Sequence, residues 1–338
     1  MSKKVLFLAQ KMSMGFGVAV VVHHLCLELT KLGLAVEVAC IEQDGSMVGD
    51  YPVATISPDV ATLNSLIVEN QITHVVAHTS PFFELIPGID KGCVRMVWEH
   101  GDPTPELFPF DGQERKNIAD QKRHLVYPAV DKVIAISEFI RSDINWPSAT
   151  VIYNGCDHIR VAERAARNSD RLVVGALMRL GKGEAFYKGN SLFVELATKL
   201  QEIEKISIKL LGRGDPEDAK YFEERGIEVV LNADDEVRSQ YLSSIDFFVS
   251  LSLWEGFNLP LVEAALSGAL PLALDVGAHP EVTPYIFSSA DEMAAFIKGV
   301  WEAKGRSHVE NLANRTQSYV RKRFQWARAA SEFAKVIG

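Results

Sequence analysis

Short apolar runs rich in β-branched residues alternate along the chain with longer stretches whose apolar positions recur every three or four residues. In the first half the short runs are Val5–Ala9, Ala35–Ile41, His74–His78, Arg95–His100, Lys132–Ser137 and Thr150–Tyr153. In the second half they are Leu172–Leu177, Ser207–Leu211, Glu228–Leu231, Phe247–Leu251 and Leu270–Leu274. Runs this short, apolar at nearly every position, fit strands buried on both faces of a parallel sheet. Val18–Leu32 has helical spacing and ends before Gly33, a residue suited to the left-handed conformation that closes a helix. Strands alternating with helices predict a parallel α/β architecture. His158–Asp170, rich in Arg and Ala, carries few strand signals and separates two such halves, and Val309–Ile337 predicts one or two amphipathic helices. The simplest architecture is two Rossmann-like, doubly wound domains facing a deep cleft. The first spans 1–157, with a final helix at 319–338 packing back on it, and the second spans 158–318.

At 338 residues, 47% hydrophobic and 23% charged, the chain is long enough for two cores and too apolar to stay disordered. Its start, MSKKVLFLAQKM, has the outline of a signal peptide. The apolar part is only Val5–Ala9, however, and no small-residue cleavage site follows, so the segment reads as a first strand. No apolar stretch approaches the roughly 20 residues of a membrane-spanning helix. Cys26, Cys40, Cys93 and Cys156 match neither disulfide nor zinc spacing, which predicts reduced, buried thiols in a cytoplasmic protein. The net charge of −9 is unevenly placed: residues 1–157 hold 12 Lys and Arg against 19 Asp and Glu (−7), and the remainder hold 23 against 25 (−2). That balance argues against a broad basic face for nucleic acid and against docking on an anionic membrane. The one local basic cluster, Arg115, Lys116, Lys122 and Arg123, is expected to form a solvated helical face. His23, His24, His74 and His124 have no companions at metal-ligand spacing and are expected to be structural or solvated.

In doubly wound sheets, ligands bind beyond the carboxyl ends of the strands. That rule selects Gly15–Gly17, His78–Ser80, His100–Gly101, Ser137, Arg179, Gly212–Gly214 and Ser252–Glu263. The most informative window is SLSLWEGFNLPLVEAALSGALPLALDVGAHPE, from Ser250 to Glu281. A strand ends near Leu251 and a turn with Gly256 follows. Pro260 stands where a first helical residue tolerates a missing N–H, and the helix runs to about Ser267 and stops at Gly268. The unpaired N–H groups of the turn Gly256–Leu259 make a seat for a phosphate. Glu255 before that turn, and Glu263 in the expected first helical turn, can accept hydrogen bonds from hydroxyls on either side. A nucleotide sugar carries such groups, a ribose on one side of its diphosphate and a hexose on the other. Gly15-Phe16-Gly17 opens the first helix but lacks the third glycine of a dinucleotide fingerprint, which argues against a nicotinamide oxidoreductase.

Glu255 and Glu263, with seven residues between them in EGFNLPLVEA, resemble the paired-glutamate motif of retaining glycosyltransferases of family 4 with the GT-B fold. DFFVSLSLWEGF before the motif and SGALPLALDVGAHPEV after it extend the likeness. VIYNGCD at 151–157, LLGRGD at 210–215 and KVIAISEFIRSDI at 132–144 are also similar to the family's signatures. The resemblance implies that Glu255 bonds the transferred sugar's hydroxyls and that Phe257, Asn258 and Leu259 meet the diphosphate or sugar through backbone amides. It implies that Glu263 holds the ribose, and that Arg179 and Lys188 neutralise the leaving diphosphate. Gly17, Ser137 and Gly212 would line the donor, His100 would stand next to the transferred sugar, and Gly15, Phe16 and Asp102 would meet the acceptor. The chain departs from the family at Met178-Arg179-Leu180, which is followed by GKGEAFYKG with two Lys-Gly pairs. Lys188 is favoured over Lys182, because NSLFVELATKL after it is the helix the family places there.

Glycosyl transfer separates charge, so the departing diphosphate oxygen must be met by fixed dipoles and cations in a water-poor site. Arg179, Lys188 and the helix start at Pro260 answer that demand. The resemblance implies a cytoplasmic hexosyltransferase that takes a UDP- or GDP-linked donor as substrate and a carbohydrate, glycan or small-molecule acceptor. It further implies retention by front-face displacement, with no cofactor and no catalytic metal. A nucleotide-sugar 2-epimerase of the same fold and a non-catalytic nucleotide-sugar binder are the alternatives. The first would need acid–base groups, of which only His100 is nominated. The second is opposed by the full set of Arg179, Lys188, Glu255 and Glu263.

Overall fold

The computed structural model of the chain describes residues 3–108, 110–159, 161, 171–181 and 183–338, the side chains of 183–185 excepted. Lys182 and most of the expected separator His158–Asp170 lie outside the described residues. The chain forms two compact units, residues 1–158 with 325–338 and residues 159–324.

The first unit holds seven parallel strands, β1 (Lys4–Met12), β2 (Ala35–Gln43), β3 (Val53–Thr55), β4 (His74–Ala77), β5 (Val94–Glu99), β6 (Lys132–Ala135) and β7 (Thr150–Val151). Their order is β3-β2-β1-β4-β5-β6-β7. The reversal of strand order at β1 and β4 puts a crevice beyond the carboxyl ends of those strands. All four residues of β4 are buried, as expected for a strand covered on both faces. The helix Gly17–Lys31 buries Ala19, Val21, Val22, Leu25, Cys26 and Leu29, and Gly33 leaves it with φ of +81°. The helix Trp326–Ile337 packs on it and sends Phe333 between Phe7 and Trp98, with ring centroids 5.7 and 5.5 Å away.

The second unit holds six parallel strands, β8 (Leu172–Arg179), β9 (Ile206–Arg213), β10 (Glu228–Leu231), β11 (Phe247–Ser250), β12 (Leu270–Leu274) and β13 (Ile286–Phe287), in the order β10-β9-β8-β11-β12-β13. Its own switch in strand order lies between β8 and β11. The helix Ala290–Arg323 is broken at Gly305, whose φ of +68° and ψ of −174° are not helical. Beyond the break, Arg306 donates to Asp246 Oδ1 at 2.8 Å and to the Arg171 carbonyl at 2.6 Å, anchoring the helix at the sheet's amino edge.

Most expected strands are present within a few residues of their bounds. β3 and β13 were not expected, being two or three residues long at the sheet edges, and β7 stops at Val151 rather than Tyr153. The carboxy-terminal stretch forms parts of two helices meeting at Phe324–Gln325. All four cysteines are buried and none is in a disulfide. No helix among the described residues is long and apolar enough to cross a membrane.

Candidate active site

In the second unit the strand ends converge on one set of loops. A short helical turn, Gly183–Lys188, follows β8 and docks on the segment after β11, where the Leu253 N–H donates to the Tyr187 carbonyl at 2.7 Å. Gly189 makes the contact close: its φ is +74°, and a Cβ there would lie 2.0 Å from the Leu251 carbonyl oxygen. The docking delivers Lys188 to Glu255, with Nζ 2.9 Å from Oε1 and 4.6 Å from the centroid of the Tyr187 ring. Burial works against the Lys188 ammonium, but the Glu255 carboxylate and the Tyr187 hydroxyl together outweigh it and hold the pKa above the usual lysine range. An ammonium has three N–H donors, so with Glu255 and Tyr187 bonded one is left for a phosphate.

Glu255 is held by its backbone. The Ala278 N–H donates to its carbonyl at 2.9 Å, and Gly277, with φ of +57°, lets the β12 loop pass so closely that a Cβ would lie 2.2 Å from that oxygen. The turn ends at Asn258, which adopts φ of +61° and caps the helix Leu259–Leu266 by accepting from the Leu261 N–H at 3.1 Å. Its Nδ2 lies 2.8 Å from both Ser250 Oγ and His279 Nε2, while His279 Nδ1 donates to the Leu274 carbonyl at 2.8 Å. Burial holds the His279 pKa below its usual value, consistent with a neutral ring that accepts at Nε2. Thus Asn258 ties the turn to β11, to the β12 loop and to the helix start with its side chain. The helix begins at Leu259, so Glu263 lies in its second turn, not the first; the capping Asn258, not Pro260, sets the start. Glu263 is 1% exposed and paired with Arg238 of the helix Asp235–Ser244. Arg179 and Arg213 are exposed register partners at the carboxyl ends of β8 and β9. Gly212 beside them is packed so tightly that a Cβ would meet Leu180 Cδ1 at 2.4 Å. Phe257 is buried against Phe324, 5.1 Å between centroids.

In the first unit the ends of β1, β4, β5 and β6 carry the expected residues. Gly15 has φ of +88°, Phe16 precedes the helix Gly17–Lys31 without a side-chain cap, and a Cβ at Gly17 would meet nothing within 4 Å. Ser137 is fully buried and accepts from the Ile140 N–H at 3.0 Å, capping the helix Glu138–Asp143. His100 Nε2 lies 3.0 Å from Nδ1 of His78, whose ring stacks on Trp98 at 5.4 Å and 16°. Burial first, and the Lys122 ammonium second, pull the His100 pKa down to about 3.

Lys122 overturns the expectation of a solvated basic face. It is 4% exposed and sits in a π-helical turn, Lys122–Val126, that follows the helix Gly112–Gln121. That wider turn rotates the side chain inward. Its Nζ is 3.1 Å from Glu99 Oε1 and 2.7 Å from Asp102 Oδ2, and the Tyr127 hydroxyl donates to Glu99 Oε1 at 2.9 Å. Arg115 lies over the Phe108 ring, 3.8 Å from its centroid. Asp102, expected at the acceptor, is therefore already bonded to a buried lysine.

Residues 16–160 match the family described as Glycosyltransferase Family 4, and residues 172–302 match Glycosyl transferases group 1. Both halves of the chain are glycosyltransferase domains. Among solved structures, sucrose-phosphate synthase from Thermosynechococcus elongatus superposes with a TM-score of 0.81 at 16% identity, covering 99% of this chain and 98% of its own. HepE of Anabaena, solved with UDP and glucose, gives 0.78 at 17% identity with 99% of each chain covered. A glycosyltransferase from Rickettsia africae gives 0.76 at 14% identity, covering 99% of this chain and 97% of its own. No curated protein matches the sequence. The two sheets of this glycosyltransferase are those of the GT-B fold.

The structure gathers Lys188, Glu255, the turn Phe257–Leu259 and Gly212 at one edge of the second sheet, and His100, Asp102, Ser137 and Gly15–Gly17 at one edge of the first. The strand-end rule selected the segments holding His78 and Arg213 but gave these two residues no role, and it passed over Arg238 and His279. Arg213 was visible as a charged residue ending a strand run inside LLGRGD. The pairings of His78, Arg238 and His279 carry no local signal, since each finds its partner 21 to 25 residues away.

Proposed function

We propose that this glycosyltransferase moves a hexose from a UDP- or GDP-linked donor to a hydroxyl of a carbohydrate, glycan or small-molecule acceptor, with retention and without a metal. The carrying observation is the 2.9 Å Lys188–Glu255 pair at the mouth of the turn Gly256–Asn258. In this reading the diphosphate lies on the turn's amides, Lys188 and Arg179 take up the charge that develops on the leaving oxygen, and Glu255 orients the sugar hydroxyls. Arg213, in register with Arg179, adds a second guanidinium at the same edge. Glu263 serves the ribose, with Arg238 holding its carboxylate. No carboxylate is nominated as a covalent nucleophile, so the leaving phosphate itself takes the acceptor's proton on the same face of the sugar. The UDP-glucose complex of HepE supports a nucleotide-sugar donor on a similar fold.

The test is a thermal-shift screen against UDP, GDP, ADP and their sugars, in buffer with EDTA. A donor at 100 times its dissociation constant stabilises by about 2.7 kcal/mol. The stabilising donor is then incubated with candidate acceptors, and the anomeric configuration of the product is read by NMR. Glu255→Ala should abolish transfer and leave nucleotide affinity nearly unchanged. Flat responses to every nucleotide, an inverted product, or turnover of donor without acceptor would each overturn the reading.

A further inference from the structure

The segment 99–102 is fastened at three points by two residues. Lys122 bonds the residue before His100 and reaches Asp102 beyond it, while His78 bonds the His100 ring itself. His78 follows β4, and its N–H continues the ladder by donating to the Leu8 carbonyl at 2.9 Å. Its ring is 1% exposed, walled by Trp98 and by Phe7, whose centroid is 5.4 Å away. His78 Nδ1 is spent on His100, and His78 Nε2 is buried without a hydrogen-bond partner among the described residues.

That unpartnered nitrogen decides where the shared proton sits. If His100 Nε2 carried it and donated, neutral His78 would keep its own proton on Nε2, leaving a buried N–H with nothing to bond. If His78 Nδ1 carries it, only a bare lone pair is left in the apolar pocket. Buried orphan N–H groups are the rarer and costlier case. The same reasoning disfavours an imidazolium on His78, which would have donors at both nitrogens. Lys122 and Asp102, the charged groups that act on His100, act in opposite directions.

We infer that His78 is a positioning residue that donates from Nδ1 to His100 Nε2 and thereby fixes His100 as the Nδ1–H tautomer. This rests on the proposed placement of His100 next to the transferred sugar. It gives that ring a definite part: it offers sugar or acceptor a hydrogen-bond donor at Nδ1, and it is not a base. A histidine's active nitrogen is set by what the other nitrogen bonds.

The test uses the full chain with ¹⁵N-labelled histidine and long-range ¹H–¹⁵N correlation at neutral pH, with signals assigned from His78→Asn, His78→Phe and His100→Gln. His100 Nε2 should resonate as an unprotonated nitrogen and Nδ1 as a protonated one, with His78 Nδ1 also protonated. His78→Phe retains the ring against Trp98 but not the donor, and should release His100 into a tautomer mixture. Its turnover should fall about tenfold, as when an outer partner orienting a histidine is lost, with the donor KM within twofold. His78→Asn returns a donor near the Nδ1 position and should restore both the spectrum and most of the turnover. A protonated His100 Nε2 in the parent chain, averaged tautomers there, or an unchanged His100 spectrum in His78→Phe would overturn the inference. A released tautomer with undiminished transfer would leave the inference standing and remove His100 from the sugar, so the two readings fail separately.

Discussion

Replacing Lys122 by Met takes away an ammonium 3.1 and 3.2 Å from the two oxygens of Glu99 and 2.7 Å from Asp102. Asp102 is half-exposed and turns to water, so its loss counts for about 0–1 kcal/mol. Glu99 is 1% exposed and cannot follow. Stripping one partner from a buried pair costs about 3–5 kcal/mol, but the stranded carboxyl has an escape, because it can take up a proton. From its unperturbed pKa of 4.5, protonation at pH 7 costs about 3.4 kcal/mol, at 1.36 kcal/mol per pH unit. Protonation thus caps the Glu99 part of the penalty at about 3 kcal/mol at pH 7 and under 1 kcal/mol at pH 5. The sign follows from proton counting. In the variant, folded Glu99 keeps a proton that unfolded Glu99 releases, so stability falls as pH rises above 4.5. The assay is amide exchange of the β5 peptide Val94–Glu99 against urea at pH 5, 6 and 7. The opening midpoint should drop by roughly 1–3 M at pH 7, for slopes of about 1–3 kcal/mol/M. Adding Glu99→Gln, which still accepts from Tyr127, should recover most of the loss. A loss below about 1 kcal/mol at pH 7, a loss independent of pH, or no recovery with Glu99→Gln would refute the reasoning.

Lys188→Ala should lower turnover by roughly 10²–10³ in a folded protein, and near-normal turnover would take that residue out of the chemistry. Gly277→Ala sets a Cβ 2.2 Å from the Glu255 carbonyl at a positive φ, a conformation that costs a non-glycine residue about 1–2 kcal/mol. Turnover should fall at least about tenfold together with the melting temperature of the second unit, and a wild-type rate would show that Glu255 tolerates the shift. His24 and His100 both have pKa values pulled down to about 3, chiefly by burial. Unfolded imidazoles take up protons below pH 6.5 that the folded ones refuse, so the first unit should be fully stable above pH 6.5 and lose stability as pH falls toward 3. A His24→Gln, His100→Gln double variant should flatten that slope in urea titrations, and an unchanged slope would sink the assignment.

The strands were legible because a parallel sheet covered on both faces needs short, continuous apolar runs, and β4, β5, β11 and β12 supply them. β3 and β13 were not legible, since two or three residues at a sheet edge leave no periodicity to read. The glutamate window was legible because its chemistry is local: Glu255, the glycine turn and the helix start lie within a few residues of one another. Lys122 was misread for the opposite reason. Its neighbours Arg115, Lys116 and Arg123 form a basic pattern that describes a solvated face, and only the π-helical turn shows that one of them points into the core.

The sequence by itself determined two parallel α/β sheets and the strand-end positions where ligands meet such sheets, because burial pattern and turn chemistry are written locally. Tertiary structure decided which charges are paired and which nitrogen holds a proton. Lys122 with Glu99, Arg238 with Glu263 and His78 with His100 each join separate elements. The energy of a buried charge or imidazole depends on partners within a few ångströms, and only the folded chain brings those partners together.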